Sequence, residues 1–182
     1  MKQKILSPLA LTGALLSIFA LPAANADGFS VGMSGTRADT GFKDDSSTIA
    51  GDSSGWRIFG SYMFNERWGI EGGLSKYDAP DDKSLPSNMH VDTESYDVYA
   101  VYKLPLTPNF GLVNKVGVTS WNTETEVMDT NEKNYQSTDL SLSFGGEYDL
   151  NQRFGIRGEV EWFDSAISGS LKYSLSGIFR FD

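Results

Sequence analysis

Phe154-Gly155-Ile156-Arg157-Gly158-Glu159-Val160-Glu161-Trp162-Phe163 is the stretch on which the fold turns. Successive side chains of a strand point to opposite sides. One side here carries Phe154, Ile156, Gly158, Val160 and Trp162, and the other carries Arg157, Glu159 and Glu161. A soluble sheet puts such a charged side in water. A membrane barrel does the reverse, with the apolar side in lipid and the charges in its interior. The rest of the chain has to decide between the two.

Seven more segments alternate with the same period of two: 28–36, 55–64, 68–77, 95–103, 110–121, 139–148 and 171–181. In the second, Trp56, Ile58, Gly60, Tyr62 and Phe64 oppose Arg57, Phe59, Ser61 and Met63. In the third, Trp68, Ile70, Gly72 and Leu74 oppose Glu71, Gly73 and Ser75. The fourth has Tyr96, Val98, Ala100 and Tyr102 on its apolar side. In the fifth, Leu112, Val116 and Val118 share a side with Asn114, and Lys115 and Thr119 lie opposite. The sixth sets Leu140, Leu142, Phe144 and Tyr148 against Asp139, Ser141, Ser143 and Glu147. The last sets Leu171, Tyr173, Leu175, Gly177, Phe179 and Phe181 against Ser174, Ser176 and Arg180. Each segment is about the length of a tilted strand crossing a bilayer, roughly nine to eleven residues.

The connections alternate as well. Those at 65–67, 104–109 and 149–153 are short, whereas 37–54, 78–94 and 122–138 are long and polar, and 164–170 is intermediate. Short turns on one side and long loops on the other are the outer-membrane pattern. Residues 65–78 also align without gaps with 151–164, and Phe110-Gly111-Leu112 is a weaker copy between them. Phe110 lies 42 residues after Trp68, and Phe154 a further 44 after that, one hairpin and one long loop each time. A propeller blade of similar period would need four strands per repeat.

The start of the chain is read separately. Lys2 and Lys4 precede a mostly apolar run from Ile5 to Leu21, and Ala24-Asn25-Ala26 has the small-x-small form of a cleavage site. Residues 1–26 therefore read as a secretory signal peptide, and residues 27–182 as a single barrel domain. Without that peptide the chain keeps 13 basic and all 24 acidic residues, a balance of −11. Such a chain lacks the basic footprint of a nucleic-acid binder. There is no cysteine, which removes disulfides, thiol chemistry and cysteine metal sites. After residue 26 no apolar run is long enough for a spanning helix. Any later membrane crossing must use a closed barrel.

A secreted lipocalin-like barrel would also have eight strands, with the charges outside. Aromatic residues flanking the short turns argue against it: Tyr62, Phe64, Trp68, Tyr102, Phe110, Tyr148, Phe154, Phe179 and Phe181. They form a girdle at a lipid interface. The polar side also mixes both signs of charge in Arg57, Glu71, Lys115, Glu147, Arg157, Glu159, Glu161 and Arg180. That set is expected to pair inside a narrow lumen, because unpaired charges there would be costly. The expected fold is all-β, an eight-stranded antiparallel up-and-down transmembrane β-barrel.

On the apolar start, the Arg-aromatic-Gly-Ile-x-Gly strand openings and the terminal strand, the chain resembles the small outer-membrane β-barrel proteins related to the transmembrane domain of outer membrane protein A and to outer membrane protein X. The resemblance covers essentially all of 27–182. It implies an outer-membrane location in a Gram-negative envelope, with outer-membrane lipid and lipopolysaccharide as surroundings. It also implies passage through periplasmic chaperones and the barrel-assembly machinery. Tyr173, Leu175, Gly177, Phe179 and Phe181 match the family's assembly-signal strand, although here Asp182 follows the last aromatic residue.

Little else in the sequence points to chemistry. The single histidine, His90, lies in a long loop near Ser87 and Ser95. A serine–histidine pair could serve a lipid-modifying barrel enzyme, but a solvated loop histidine is the simpler reading. Neither a nucleophile elbow nor a paired-histidine metal motif occurs. The loops are acidic: Asp44, Asp45, Asp78, Asp81, Asp82, Asp92, Glu94, Glu124, Glu126, Asp129 and Glu132. Divalent cations bridging to lipopolysaccharide would suit such oxygen ligands, and so would plain solvation. Asp129-Thr130-Asn131 starts like a calcium loop but lacks its glycine and closing glutamate. No catalytic residue, cofactor or metal is expected. The functional expectation is a structural or surface-interaction role, with host or cell-surface ligands at the loops. The alternative is a narrow porin-like channel for ions or small solutes.

Overall fold

A computed structural model describes residues 28–44, 47–77, 89–127, 133–164 and 170–181. They form eight strands: β1 (Phe29–Asp44), β2 (Ser47–Met63), β3 (Trp68–Tyr77), β4 (Met89–Pro105), β5 (Phe110–Val127), β6 (Lys133–Asp149), β7 (Phe154–Phe163) and β8 (Ser170–Arg180). Each strand pairs antiparallel with the next, and β8 pairs back onto β1 to close the barrel. The closing seam runs from Ser30 opposite Arg180 to Asp39 opposite Leu171. Closure leaves no free strand edge within the bilayer, where an unpaired backbone group would have no water to bond. None of the described residues forms a helix long and apolar enough to cross a membrane.

The two faces settle which side is inside. Leu175 is 68% exposed, Met33 60% and Phe144 57%, whereas Arg157 and Glu71 are each 1% exposed. This inverts a soluble protein, whose fully buried residues are mostly apolar. Along β7 every odd member of the alternation is exposed and every even one buried. Phe154, Ile156, Val160 and Trp162 therefore face outward, and Arg157, Glu159 and Glu161 face the lumen.

The short turns explain the internal repeat. Asn65 Oδ1 accepts hydrogen bonds from the backbone N–H groups of Arg67 and Trp68, both at 2.9 Å. Asn151 Oδ1 does the same for Arg153 and Phe154 at the same distance. In the weaker copy, Thr107 Oγ1 accepts from Phe110 N at 3.0 Å. A side chain thus stands in for backbone where the chain reverses, and an aromatic residue opens the next strand. Trp68 then packs on Tyr102, with ring centroids 4.8 Å apart, and Phe154 on Phe179, 5.2 Å apart.

β3 and β7 have the expected bounds, but other strands are longer than their sequence patterns. Residues 37–54, read as one long loop, are mostly strand: β1 reaches Asp44, where it pairs with Ser47 of β2. Likewise β4 pairs with β5 out to Met89 and Val127, and β5 with β6 out to Thr125 and Lys133. Above the bilayer both faces of a hairpin meet water, so pairing continues after the apolar alternation has ended. Register is already set below by the buried half. β8 is offset by one residue from the expected 171–181, with Phe181 just beyond it, its N–H still donating to Phe29 O at 3.0 Å. The expected signal peptide at 1–26 lies outside the described residues.

Candidate functional site

The lumen is the place where this chain concentrates chemistry. Glu71, on β3, stands near its centre and meets three cations. Arg57 Nη1 lies 3.0 Å from Oε1, Lys115 Nζ 2.9 Å from the same oxygen, and Arg157 Nη1 2.7 Å from Oε2. These partners come from β2, β5 and β7. β3 and β7 are four strands apart in a ring of eight, so the Glu71–Arg157 pair crosses the bore.

Each cation has a second anion. Arg57 holds Asp97 with two bonds, Nε to Oδ2 at 2.8 Å and Nη2 to Oδ1 at 2.5 Å. Lys115 reaches Glu159 at 2.8 Å. Arg157 donates Nε to Glu147 Oε2 at 2.8 Å. Glu147 passes the network to the mouth on the short-turn side, where Lys103 Nζ lies at 2.8 Å and Arg180 Nη2 at 2.5 Å. Arg180 also bonds Asp149. This connected set has five cations (Arg57, Lys103, Lys115, Arg157, Arg180) and five anions (Glu71, Asp97, Glu147, Asp149, Glu159). Planar guanidinium groups suit such two-pronged carboxylate pairing.

Apolar side chains fill the space between. Tyr99, Val101 and Val113 form a small buried cluster, with Met63 against it. Phe59 lies under both arginines, its ring centre 4.7 Å from Arg57 Cζ and 5.4 Å from Arg157 Cζ. A smaller polar group lies toward the long-loop end. Lys172 Nζ is 2.5 Å from Glu161 Oε2 and 5.1 Å from the Phe163 ring centre. Tyr99 donates its hydroxyl to Glu161 and lies 3.1 Å from Thr119 Oγ1, which is 2.7 Å from Ser141 Oγ.

Of the eight lumen residues expected from sequence, seven lie in the connected network: Arg57, Glu71, Lys115, Glu147, Arg157, Glu159 and Arg180. Glu161 lies apart from them with Lys172 and Tyr99. Arg180 meets Glu147 and Asp149 at the mouth, away from Glu161. Sequence reading overlooked Asp97, Tyr99, Lys103, Asp149 and Lys172. The signal was present, since Asp97, Tyr99, Val101 and Lys103 simply alternate with the apolar side of β4.

The terminal-strand residues Tyr173, Leu175 and Gly177 face outward. Phe179 stacks edge-on with Phe154 and with Phe181, and Phe181 reaches Phe29 at 5.4 Å. Ser95 points into the lumen and is 1% exposed. The side chain of His90 lies outside the described residues, as do those of the loop acids other than Glu94. No cluster of metal-type ligands occurs among the described residues.

The family model for the outer membrane protein beta-barrel domain matches residues 11–176. The chain belongs to this family. As a member it is an outer-membrane protein, and the apolar outer face described above is its lipid-facing surface. No curated protein matches the sequence. Among solved structures, the fold is similar to Ail, the attachment invasion locus protein of Yersinia pestis, determined in complex with the heparin analogue sucrose octasulfate. The TM-score is 0.61 at 18% identity, covering 85% of this chain and 99% of that one. Neisserial surface protein A gives 0.64 at 14% identity, covering 85% and 97%. OprG from Pseudomonas aeruginosa gives 0.57 at 15% identity, covering 85% and 96%. At these identities the likeness is one of fold.

Proposed function

We propose that the protein is a closed outer-membrane barrel whose lumen is plugged by paired charges and whose work is done at its outer surface. The observation that carries this reading is the Glu71–Arg157 pair, 2.7 Å across the bore. An eight-stranded barrel is only wide enough for its own side chains to fill it, and here they meet from opposite walls. Strand pairing beyond the bilayer supports the surface role, since it gives the long hairpins a rigid base.

Charge indicates the kind of partner. Segments 37–54, 78–94, 122–138 and 164–170 hold 14 acidic and 4 basic residues. A polyanion such as the sulfated sugar bound by Ail is a poor match for them, and a basic surface or ligand is a good one. Lipid and lipopolysaccharide surround the barrel on this reading. The outward row Tyr173, Leu175, Gly177, Phe179 and Phe181 serves as the assembly signal, read by the assembly machinery after periplasmic chaperones deliver the chain. An enzymatic role is not part of the proposal, because Ser95, one of the two serines near His90 in sequence, is sealed in the lumen.

Planar-bilayer recording tests the plug. The pure protein should give no large, stable conductance. A steady open level would overturn the closed reading in favour of a narrow channel.

A further inference from the structure

We propose that one wall of the outer half of the lumen binds a cluster of internal water. Five buried hydroxyls there have no protein partner: Thr36, Ser75, Tyr77, Ser95 and Ser176. All are more than nine-tenths buried. They fall on adjacent rows of the sheet. Ser176 lies opposite Ser34, Ser34 opposite Arg57, Arg57 opposite Ser75, and Ser75 opposite Ser95. One step outward, Thr36 lies opposite Gly55 and Gly55 opposite Tyr77. The hydroxyls therefore belong to β8, β1, β3 and β4, and β2 completes the arc between β1 and β3 with Arg57 and Gly55.

The rest of the lumen differs. On the facing wall, Thr119 and Ser141 bond each other at 2.7 Å, and Ser143 donates to Glu159 at 3.3 Å. Near the periplasmic mouth, Ser30 and Ser61 pair at 2.7 Å. Ser30, Ser61, Ser141 and Ser143, which lie off the arc, are thus each partnered by protein. A buried hydroxyl without a partner is costly, and ordered water is the usual remedy where several such groups converge. One water takes about three hydrogen bonds, so five hydroxyls can hold more than one.

The local charges make water a better occupant than an ion. Arg57 is committed to Asp97 and Glu71, and Lys172 to Glu161, so neither cation on this arc is left to hold an anion. Toward the outside, Tyr77, Trp121 and Phe163 pack in sequence at 5.4 and 5.1 Å between ring centres. Toward the periplasm stands the ionic layer. The lumen is thus wet on one arc between an aromatic layer and a charged one.

Oxygen-17 magnetic relaxation dispersion of the full chain refolded in micelles counts long-lived water directly. Ser75→Ala with Ser95→Ala should lower that count by at least one, whereas Ser141→Ala should leave it unchanged. An unchanged count in the double variant, or an equal loss in Ser141→Ala, overturns the assignment. If the double variant does not fold, as read from heat-modifiable gel mobility, Ser176→Ala is measured instead and should also lower the count. A high-resolution map of the wild-type protein should show density within hydrogen-bond distance of these five oxygens, and an empty map overturns the proposal independently.

Discussion

At the scale of single residues, the lumen charges divide by how far water can replace a lost partner. Arg157 and Glu71 side chains are 1% and 0% exposed, so a group orphaned beside them stays dry. Breaking a buried pair on one side costs about 3–5 kcal/mol, and Arg157→Ala should destabilise by that order in urea unfolding from bilayers. A stability matching wild type would count against the network. Glu71→Gln should be at least as damaging, since it faces three cations at once. Arg180 differs. Its side chain is 22% exposed at the mouth, where water and salt screen its partners, and exposed pairs contribute only about 0–1 kcal/mol. Arg180→Ala should therefore cost clearly less than Arg157→Ala. Equal losses would mean that depth in the bore does not set the energetics.

At the scale of strands and turns, the repeated asparagines and two glycines, Gly117 facing the lumen and Gly158 facing outward, carry separate expectations. Asn65→Ala and Asn151→Ala each remove an acceptor shared by two backbone N–H groups, a loss of about 1–2 kcal/mol at neutral hydrogen-bond values. A Cβ on Gly117 would sit 2.0 Å from the Val98 carbonyl oxygen, whereas one on Gly158 meets nothing within 4 Å. Gly117→Ala should fold poorly and lose heat-modifiable mobility, and Gly158→Ala should keep it. The reverse order would show that the inward face is looser than its geometry implies. These elements also show what the sequence carried. β3 and β7 were readable end to end because their apolar alternation spans the bilayer and stops at its edges. The outer ends of β1, β2, β4, β5 and β6 were not, because hairpins in water pair through backbone and need no alternation. The lumen cluster was readable on strands whose polar side is plainly charged. It was missed on β4, where Tyr99 and Val101 make both sides look apolar, and at Lys172, which falls at the edge of its segment. Which charge pairs with which depends on strand stagger around the ring, and alternation along one strand says nothing of that.

At the scale of the whole molecule, two inversions of ordinary globular design act together. The first is the apolar exterior. Leu142 faces lipid from the middle of β6, and Leu142→Arg should cost about 2–4 kcal/mol if it lies near the bilayer midplane. An unaffected unfolding free energy would place that face in water. The second is the partition of charge. Of 24 acidic residues, 14 lie in the four long-loop-side segments, which hold only 4 of the 13 basic residues outside the first 26. The remainder of 27–182 is nearly balanced, at 10 acidic and 9 basic. The net charge is therefore concentrated in the long-loop-side segments, while most of the charges described in the lumen face a partner of opposite sign. An exposed field of one sign steers oppositely charged ligands and is screened over about 8–10 Å at physiological salt. The protein inserted with its long loops outward in neutral-lipid vesicles should bind polylysine, with an affinity that falls steeply as salt rises from about 50 to 200 mM. It should not bind sucrose octasulfate above protein-free vesicles. Binding of the sulfated sugar, or polylysine binding indifferent to salt, would show that the loops recognise ligands by some feature other than their net charge.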